Sequence, residues 1–381
     1  MSKSRFIAAT TFSLIIIATA FAFASANTTS RADNAAHTRG TSNATLTSNA
    51  ALTSNSTLAP NATLKSSTQL PRPELNFPLR LHRDQISVSG ISSGAFMAVQ
   101  LHIAHADWVR GVASIAGGIW NCAEGDLQRS QDVCLKHPEK VDVSVLAQAY
   151  QTQAQAGKLA ANSHLNRSDT RVWIFASAKD QVTRAAAADK LDEFYKLVAP
   201  QSQIQRIHHA DAAHGFLTEA YGKPCGQHGL PWIIDCDHDQ AGELLQAVVH
   251  PRPAKWNARH ATSAQNYFRV AQNAAADAMM LDWAEVYVPT SCQPAAGKIC
   301  ALHVALHGCQ MSTEFIQRQF IEHAGYNSWA EANGIVILYP QVAKSRSNPL
   351  GCWDWFGYTQ KDHVSQSAPQ IQALQKLIQS L

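Results

Sequence analysis

One stretch constrains the chain more than any other: QISVSGISSGAFMAVQLHIAH, residues 85–105. Between Gln85 and Ser89 apolar Ile86 and Val88 alternate with polar residues, the period of a strand. From Gly94 onward Phe96, Val99 and Ile103 recur at helical spacing. The two patterns meet at Gly90-Ile91-Ser92-Ser93-Gly94, which leaves no room for a loop. A serine on so tight a turn is strained and its hydroxyl exposed. Glycines two before and two after it remove the Cβ atoms that would strike the neighbouring strand and helix. Ser92 is therefore a candidate nucleophile, with Ser93 supplying the adjacent backbone N–H. The plainer alternative is a structural turn.

A serine nucleophile needs a base and an orienting acid, because its own hydroxyl keeps its proton at neutral pH. In α/β-hydrolases these follow in the order Ser, Asp, His, at the ends of later strands. Arg171 to Ala176 is an apolar run suited to a buried parallel strand, and Asp180 lies just beyond it. Asp180 could equally cap the Ala-rich helix expected from about Thr183. A further strand, Gln203 to Ile207, leads into HHADAAHGF. His208, His209 and His214 compete there for the role of base. His214, with loop residues before it and Gly215 after it, best suits a loop tip; His209 is the main alternative.

An HG motif, which in this class supplies an oxyanion donor ahead of the nucleophile strand, occurs here near the other end of the chain, in CALHVALHGCQ at 300–310. Ala301 to Leu306 reads as a strand, about Thr313 to Ala332 as a helix, and Ile335 to Tyr339 as another strand. Strands that ordinarily come first thus come last. The expected architecture is an α/β-hydrolase fold, a mostly parallel sheet with helices on both faces, circularly permuted. Its oxyanion donors would be the backbone N–H groups of Ser93 and Cys309.

The N-terminus carries Lys3 and Arg5, a mostly apolar run from Phe6 to Phe23, and Ala24-Ser25-Ala26, the pattern of a cleaved secretory signal over residues 1–26. A retained membrane anchor is the competing reading. Residues 27–71 contain the degenerate repeat TSNATL, TSNAAL, TSNSTL, APNATL; a single Leu in each copy cannot build a core, so a flexible linker is expected. The catalytic domain would then span residues 72–381. All 8 Cys fall in that domain, and export favours disulfides. Eight Cys allow about a hundred connectivities. Local spacing favours Cys122–Cys134, Cys225–Cys236 and Cys292–Cys300, which leaves Cys309 with Cys352. No CxxC or HExxH occurs, so no metal site is expected. With Lys+Arg 31 against Asp+Glu 28, the chain is too balanced to suggest binding to nucleic acid or to a polybasic-dependent membrane surface.

Taken together, VSGISSGAFMAVQL, HVALHGCQ, AGYNSWAEANGIVILYPQ and NPLGCWDWFGYT resemble the extracellular poly(3-hydroxybutyrate) depolymerases of the circularly permuted, single-domain kind. The resemblance covers roughly residues 72–381. It implies a secreted, extracellular or periplasmic, monomeric carboxylic-ester hydrolase. A polyester or its oligomers would be the substrate, with no cofactor and no stable membrane association. It carries a triad onto Ser92, Asp180 and His214, oxyanion donors onto Ser93 and Cys309, and a substrate contact onto Trp353 or Trp355. Ala95-Phe96 departs from a common Gly-Tyr pair, and Gly-Phe-Leu-Thr follows His214 where a Pro-Thr ending is common. An esterase of plant-wall feruloyl or acetyl esters, or of small soluble esters, would share fold and triad. A non-catalytic secreted binding protein with a hydrolase fold is the contrasting class.

Overall fold

The structure, a computed structural model, describes residues 71–381. The signal read at 1–26 and the linker read at 27–71 lie outside the described residues, Pro71 excepted. The strands, in chain order, are β1 (Ile86–Ile91), β2 (Val109–Ile115), β3 (Arg171–Ser177), β4 (Gln203–His209), β5 (Phe216–Thr218), β6 (Lys223–Pro224), β7 (Ile233–Asp235), β8 (Tyr267–Ala271), β9 (Trp283–Tyr287), β10 (Ala301–Leu306) and β11 (Ile335–Tyr339). Eight of them form one sheet in the order β4-β3-β2-β1-β10-β11-β9-β8, and β5, β7 and β6 form a small second sheet. In the large sheet β9 runs antiparallel to both neighbours, and the other pairings are parallel.

Successive side chains of a strand point to opposite faces, and here they feed two separate cores. Val336 and Leu338 of β11 join one; Ile335, Ile337 and Tyr339 join the other. Helices Ser93–Ala104, Val143–Gln155, Ala185–Val198 and Pro369–Ser380 cover the first face, and Gln240–Val248 and Tyr326–Asn333 the second. Cover on both sides is why β1, β2, β10 and β11 are buried along their whole length.

The strand order is that of a permuted α/β-hydrolase. The first strand, β1, lies in the middle of the sheet against β10, with Gly90 level with Leu306. The Ser92 turn and the HG loop therefore leave the sheet side by side, although the chain reaches them at opposite ends. The single helix expected at 313–332 is instead three pieces, Thr313–Ile316, Gln319–His323 and Tyr326–Asn333. Left-handed backbone at Gln317 (φ 54°) and Gly325 (φ 91°) breaks it. The breaks let Ile316, Phe320, Ile321 and Tyr326 all enter one core, which a straight helix of that length could not do.

The segment after Pro71 covers an edge of the sheet. Leu75 N–H donates to Arg269 O and Arg269 N–H to Pro73 O, both at 2.9 Å, so part of β8 has its edge groups paired. Arg72 lies over the Tyr267 ring, reaches Glu285 at 3.0 Å and also pairs with Glu322. Deleting residues 27–70 is expected to leave soluble-ester turnover unchanged, because a polar repeat adds nothing to a core. Arg72→Ala should lower stability by about 1–3 kcal/mol, the range for a charged hydrogen-bonded group. Urea unfolding of both variants checks this; a deletion that misfolds, or an Arg72→Ala variant as stable as the parent, would contradict it.

Candidate active site

Ser92 joins β1 to helix Ser93–Ala104 with φ 55° and ψ −122°. That conformation costs of order 1–3 kcal/mol and persists only where the surroundings enforce it. They do so by excluding side chains. A Cβ on Gly90 would stand 2.1 Å from Gly94 O, and one on Gly94 2.3 Å from His307 O. Only glycine fits at either place, so strand, helix and HG loop close tightly around a half-buried serine. Gly308 belongs to the same contact: its Cβ would lie 3.3 Å from Ser92 Cβ.

The first N–H groups of a helix have no partner within it. The N–H of Ser93 begins such a helix, and that of Cys309 follows Gly308 beside Ser92; neither donates to a protein acceptor among the described residues. Donors of this kind beside a serine hydroxyl can stabilise a developing oxyanion. The loop carrying Cys309 is held from three directions. Cys309 is bonded to Cys352, Gln310 N–H donates to Leu350 O at 2.7 Å, and Asn348 clasps Cys352 through both its N–H (2.9 Å) and its carbonyl (2.8 Å). The remaining bridges are Cys122–Cys134, Cys225–Cys236 and Cys292–Cys300.

Asp180 lies beyond β3, and His214 in the loop after β4. Asp180 Oδ2 is 2.7 Å from His214 Nδ1, with both residues buried. Asp180 Oδ1 accepts the N–H groups of Val182 (2.8 Å) and Thr183 (2.9 Å). One oxygen thus holds the turn and the other orients an imidazole. His208 is exposed on β4. The Nδ1 of His209 accepts the N–H groups of Asp211 (3.2 Å) and Ala212 (3.0 Å), which shapes the loop leading to His214. Ser177 ties that loop back to β3 by donating to Ala212 O and His209 O. Ser92, Asp180 and His214 all follow C-terminal ends of mutually parallel strands, one edge of the sheet. The Ser92 hydroxyl closes no hydrogen bond to His214 among the described residues, and catalytic contacts commonly tighten only when substrate arrives. No cluster of three or more metal-ligating side chains is found among the described residues.

Neither of the two tryptophans expected to contact substrate, Trp353 and Trp355, is exposed. Trp353 is fully buried; its backbone N–H donates to Ser93 Oγ at 3.3 Å and its ring packs by His307. Trp355 is buried as well, stacked on Phe96 with centroids 4.2 Å apart. The segment folds inward because Asp354 collects the N–H groups of Gly357, Tyr358 and Thr359. Phe356 is the half-buried member. A residue missed in the sequence is Trp232, edge-on to His214 at 5.8 Å. Its place in the loop closed by Cys225–Cys236, a few residues beyond the His214 loop, was the available signal.

This sheet and this turn define an α/β-hydrolase. No family model matches the chain. A poly(3-hydroxybutyrate) depolymerase of Delftia acidovorans is 34% identical over 307 residues, 80% of this chain and 61% of that protein. A polyhydroxybutyrate depolymerase of Talaromyces funiculosus is 30% identical over 292 residues, 72% of this chain and 83% of that one. The chain belongs to the poly(3-hydroxybutyrate) depolymerase family. Among solved structures, the PHB depolymerase from Penicillium funiculosum superposes with a TM-score of 0.71 at 25% identity, covering 82% of this chain and 98% of that one. A serine-to-alanine PHB depolymerase complexed with an (R)-3-hydroxybutyrate trimer gives the same figures.

Proposed function

We propose that the chain is a secreted serine esterase that hydrolyses poly(3-hydroxybutyrate) or its oligomers through an acyl-enzyme. The observation that carries this reading is the buried 2.7 Å contact between Asp180 and His214 on the sheet edge that bears the Ser92 turn. Asp180 accepts from His214 Nδ1–H, which leaves Nε2 able to take the Ser92 proton as Oγ attacks the ester carbonyl. The N–H groups of Ser93 and Cys309 receive the oxyanion. His214 returns its proton to the departing alkoxide, and water, deprotonated in turn by His214, releases the acid and regenerates Ser92. Export is supported by the N-terminal signal pattern and by four disulfides. No helix among the described residues is long and apolar enough to cross a membrane.

The substrate assignment draws on the family and on the ligand of the related structure. A clearing-zone assay on dispersed poly(3-hydroxybutyrate), beside a short soluble butyrate ester, tests it. Clearing is expected, and it should fall more than soluble-ester turnover in Phe356→Ala, which removes the part-exposed aromatic surface of the segment. Trp353→Ala should instead lose both activities together, because emptying a fully buried site costs about 3–5 kcal/mol. Turnover of the soluble ester with no action on the polymer or its trimer would favour a small-ester esterase.

A further inference from the structure

Residues 210–213 join His209, the last residue of β4, to His214. Three successive N–H groups in that stretch have named acceptors. The Nδ1 of His209 takes those of Asp211 at 3.2 Å and Ala212 at 3.0 Å, and Cys225 O takes that of Ala213 at 2.8 Å. The Ala212 carbonyl accepts the Ser177 hydroxyl at the end of β3. An amide N–H can only donate, so in His209 the lone pair lies on Nδ1 and the hydrogen on Nε2. His214 has the opposite tautomer, its Nδ1–H facing Asp180.

The His209 contact is the one an asparagine makes in an Asx turn, where a side-chain oxygen accepts the N–H two residues on. Here a titratable nitrogen does the same. The ring is half-buried, with the Phe175 ring centroid 6.3 Å away and that of His238 at 5.7 Å, edge-on. The charged and titratable groups that face it are His238, Glu243 of helix Gln240–Val248, its neighbour His208, and Asp211, whose carboxylate is paired with Lys179 at 2.7 Å. Burial holds His209 below the ordinary histidine range, aided by His238 and His208 and opposed by Asp211 and Glu243. The fold thus selects the neutral ring. A proton on Nδ1 would point a hydrogen at two N–H groups and release both.

The geometry points to His209 as the positioning residue of the catalytic base: its Nδ1 lone pair fixes the Asp211 and Ala212 peptides and through them holds His214 on Asp180, the pose that leaves Nε2 to take the Ser92 proton. This rests on the serine-esterase reading above. His209, the main alternative for the base on sequence, acts one step away from the reacting atoms and exchanges no proton with substrate.

Two substitutions separate the acceptor from the ring. His209→Asn puts Oδ1 where Nδ1 stands, which keeps an acceptor for both N–H groups and removes the titration. His209→Leu keeps much of the bulk and leaves both N–H groups without it. On a short soluble butyrate ester, His209→Leu should lose about 10²-fold in kcat, the scale of a small displacement of a catalytic group, with KM changed less than about threefold. The rate at which a fluorophosphonate labels Ser92 should fall in parallel, since that reaction also needs His214 to take the serine proton. His209→Asn should keep most of the kcat. Its rate relative to the parent should rise as the pH is lowered through the range in which histidine titrates, because the parent's acceptor is protonated there and Oδ1 is not. A Leu variant as active as the parent, an Asn variant as impaired as Leu, or a ratio of Asn to parent that stays flat or falls on acidification would overturn the proposal. If Leu does not fold, the Asn variant decides: near-parental kcat with a rising ratio supports the acceptor role, and a large loss or a flat ratio overturns it. Ser92→Ala is run alongside; if it retains turnover, the esterase reading fails and this role with it, whereas an inactive Ser92→Ala beside an unaffected Leu variant removes only the role of His209.

Discussion

Ser92→Ala is expected to reduce ester turnover by about 10⁶-fold, the scale seen when a triad nucleophile is removed, while secretion and unfolding midpoint stay near those of the parent. The size of the loss follows from the unit in which Ser92 works: without Oγ, neither the imidazole nor the paired N–H groups have a bond to form. The fold should survive because the turn is enforced by Gly90, Gly94 and the HG loop, not by the hydroxyl, which makes no hydrogen bond among the described residues. Steady-state rates on a soluble butyrate ester, with thermal unfolding as the control, check it. Near-normal turnover would dismiss Ser92 as nucleophile.

Asp180→Asn should cost up to about 10⁴-fold in kcat. The two oxygens of Asp180 make this a cleaner test than most. An Asn Oδ1 still accepts from Val182 and Thr183, so the turn beyond β3 is kept. The new Nδ2 faces His214 Nδ1 and can only donate, which forces the imidazole into the tautomer with its hydrogen on Nε2. That tautomer cannot take the Ser92 proton. A folded Asn variant with a loss below about tenfold would mean that Asp180 only caps the turn.

How much of this was legible in the sequence depends on how local each cause is. The Ser92 turn was, because its strain demands glycine at two fixed offsets, and a steric demand of that kind is written in consecutive residues. The permutation was too, since an HG motif after a buried strand keeps its meaning wherever the chain ends fall. The choice among His208, His209 and His214 was narrowed by loop position, but the Asp180 contact that distinguishes His214 spans a whole helix and a whole strand. The break at Gln317 was hidden, because left-handed backbone at a glutamine has no local signature and is imposed by what Ile316 and Phe320 must reach. The burial of Trp353 and Trp355 was hidden for a similar reason. A Gly-rich aromatic segment reads as a surface loop until Asp354, Asn348 and the Cys309–Cys352 bridge are seen to fold it inward.

The claim on which the rest depends is that one serine, Ser92, is activated by its surroundings. A fluorophosphonate probe reacts with such a serine and becomes fixed to it. Peptide mass spectrometry after labelling of the purified protein should find a single adduct, on Ser92 and not on the adjacent Ser93, and none in Ser92→Ala. An adduct on a different serine, or no adduct on an active preparation, would contradict the account.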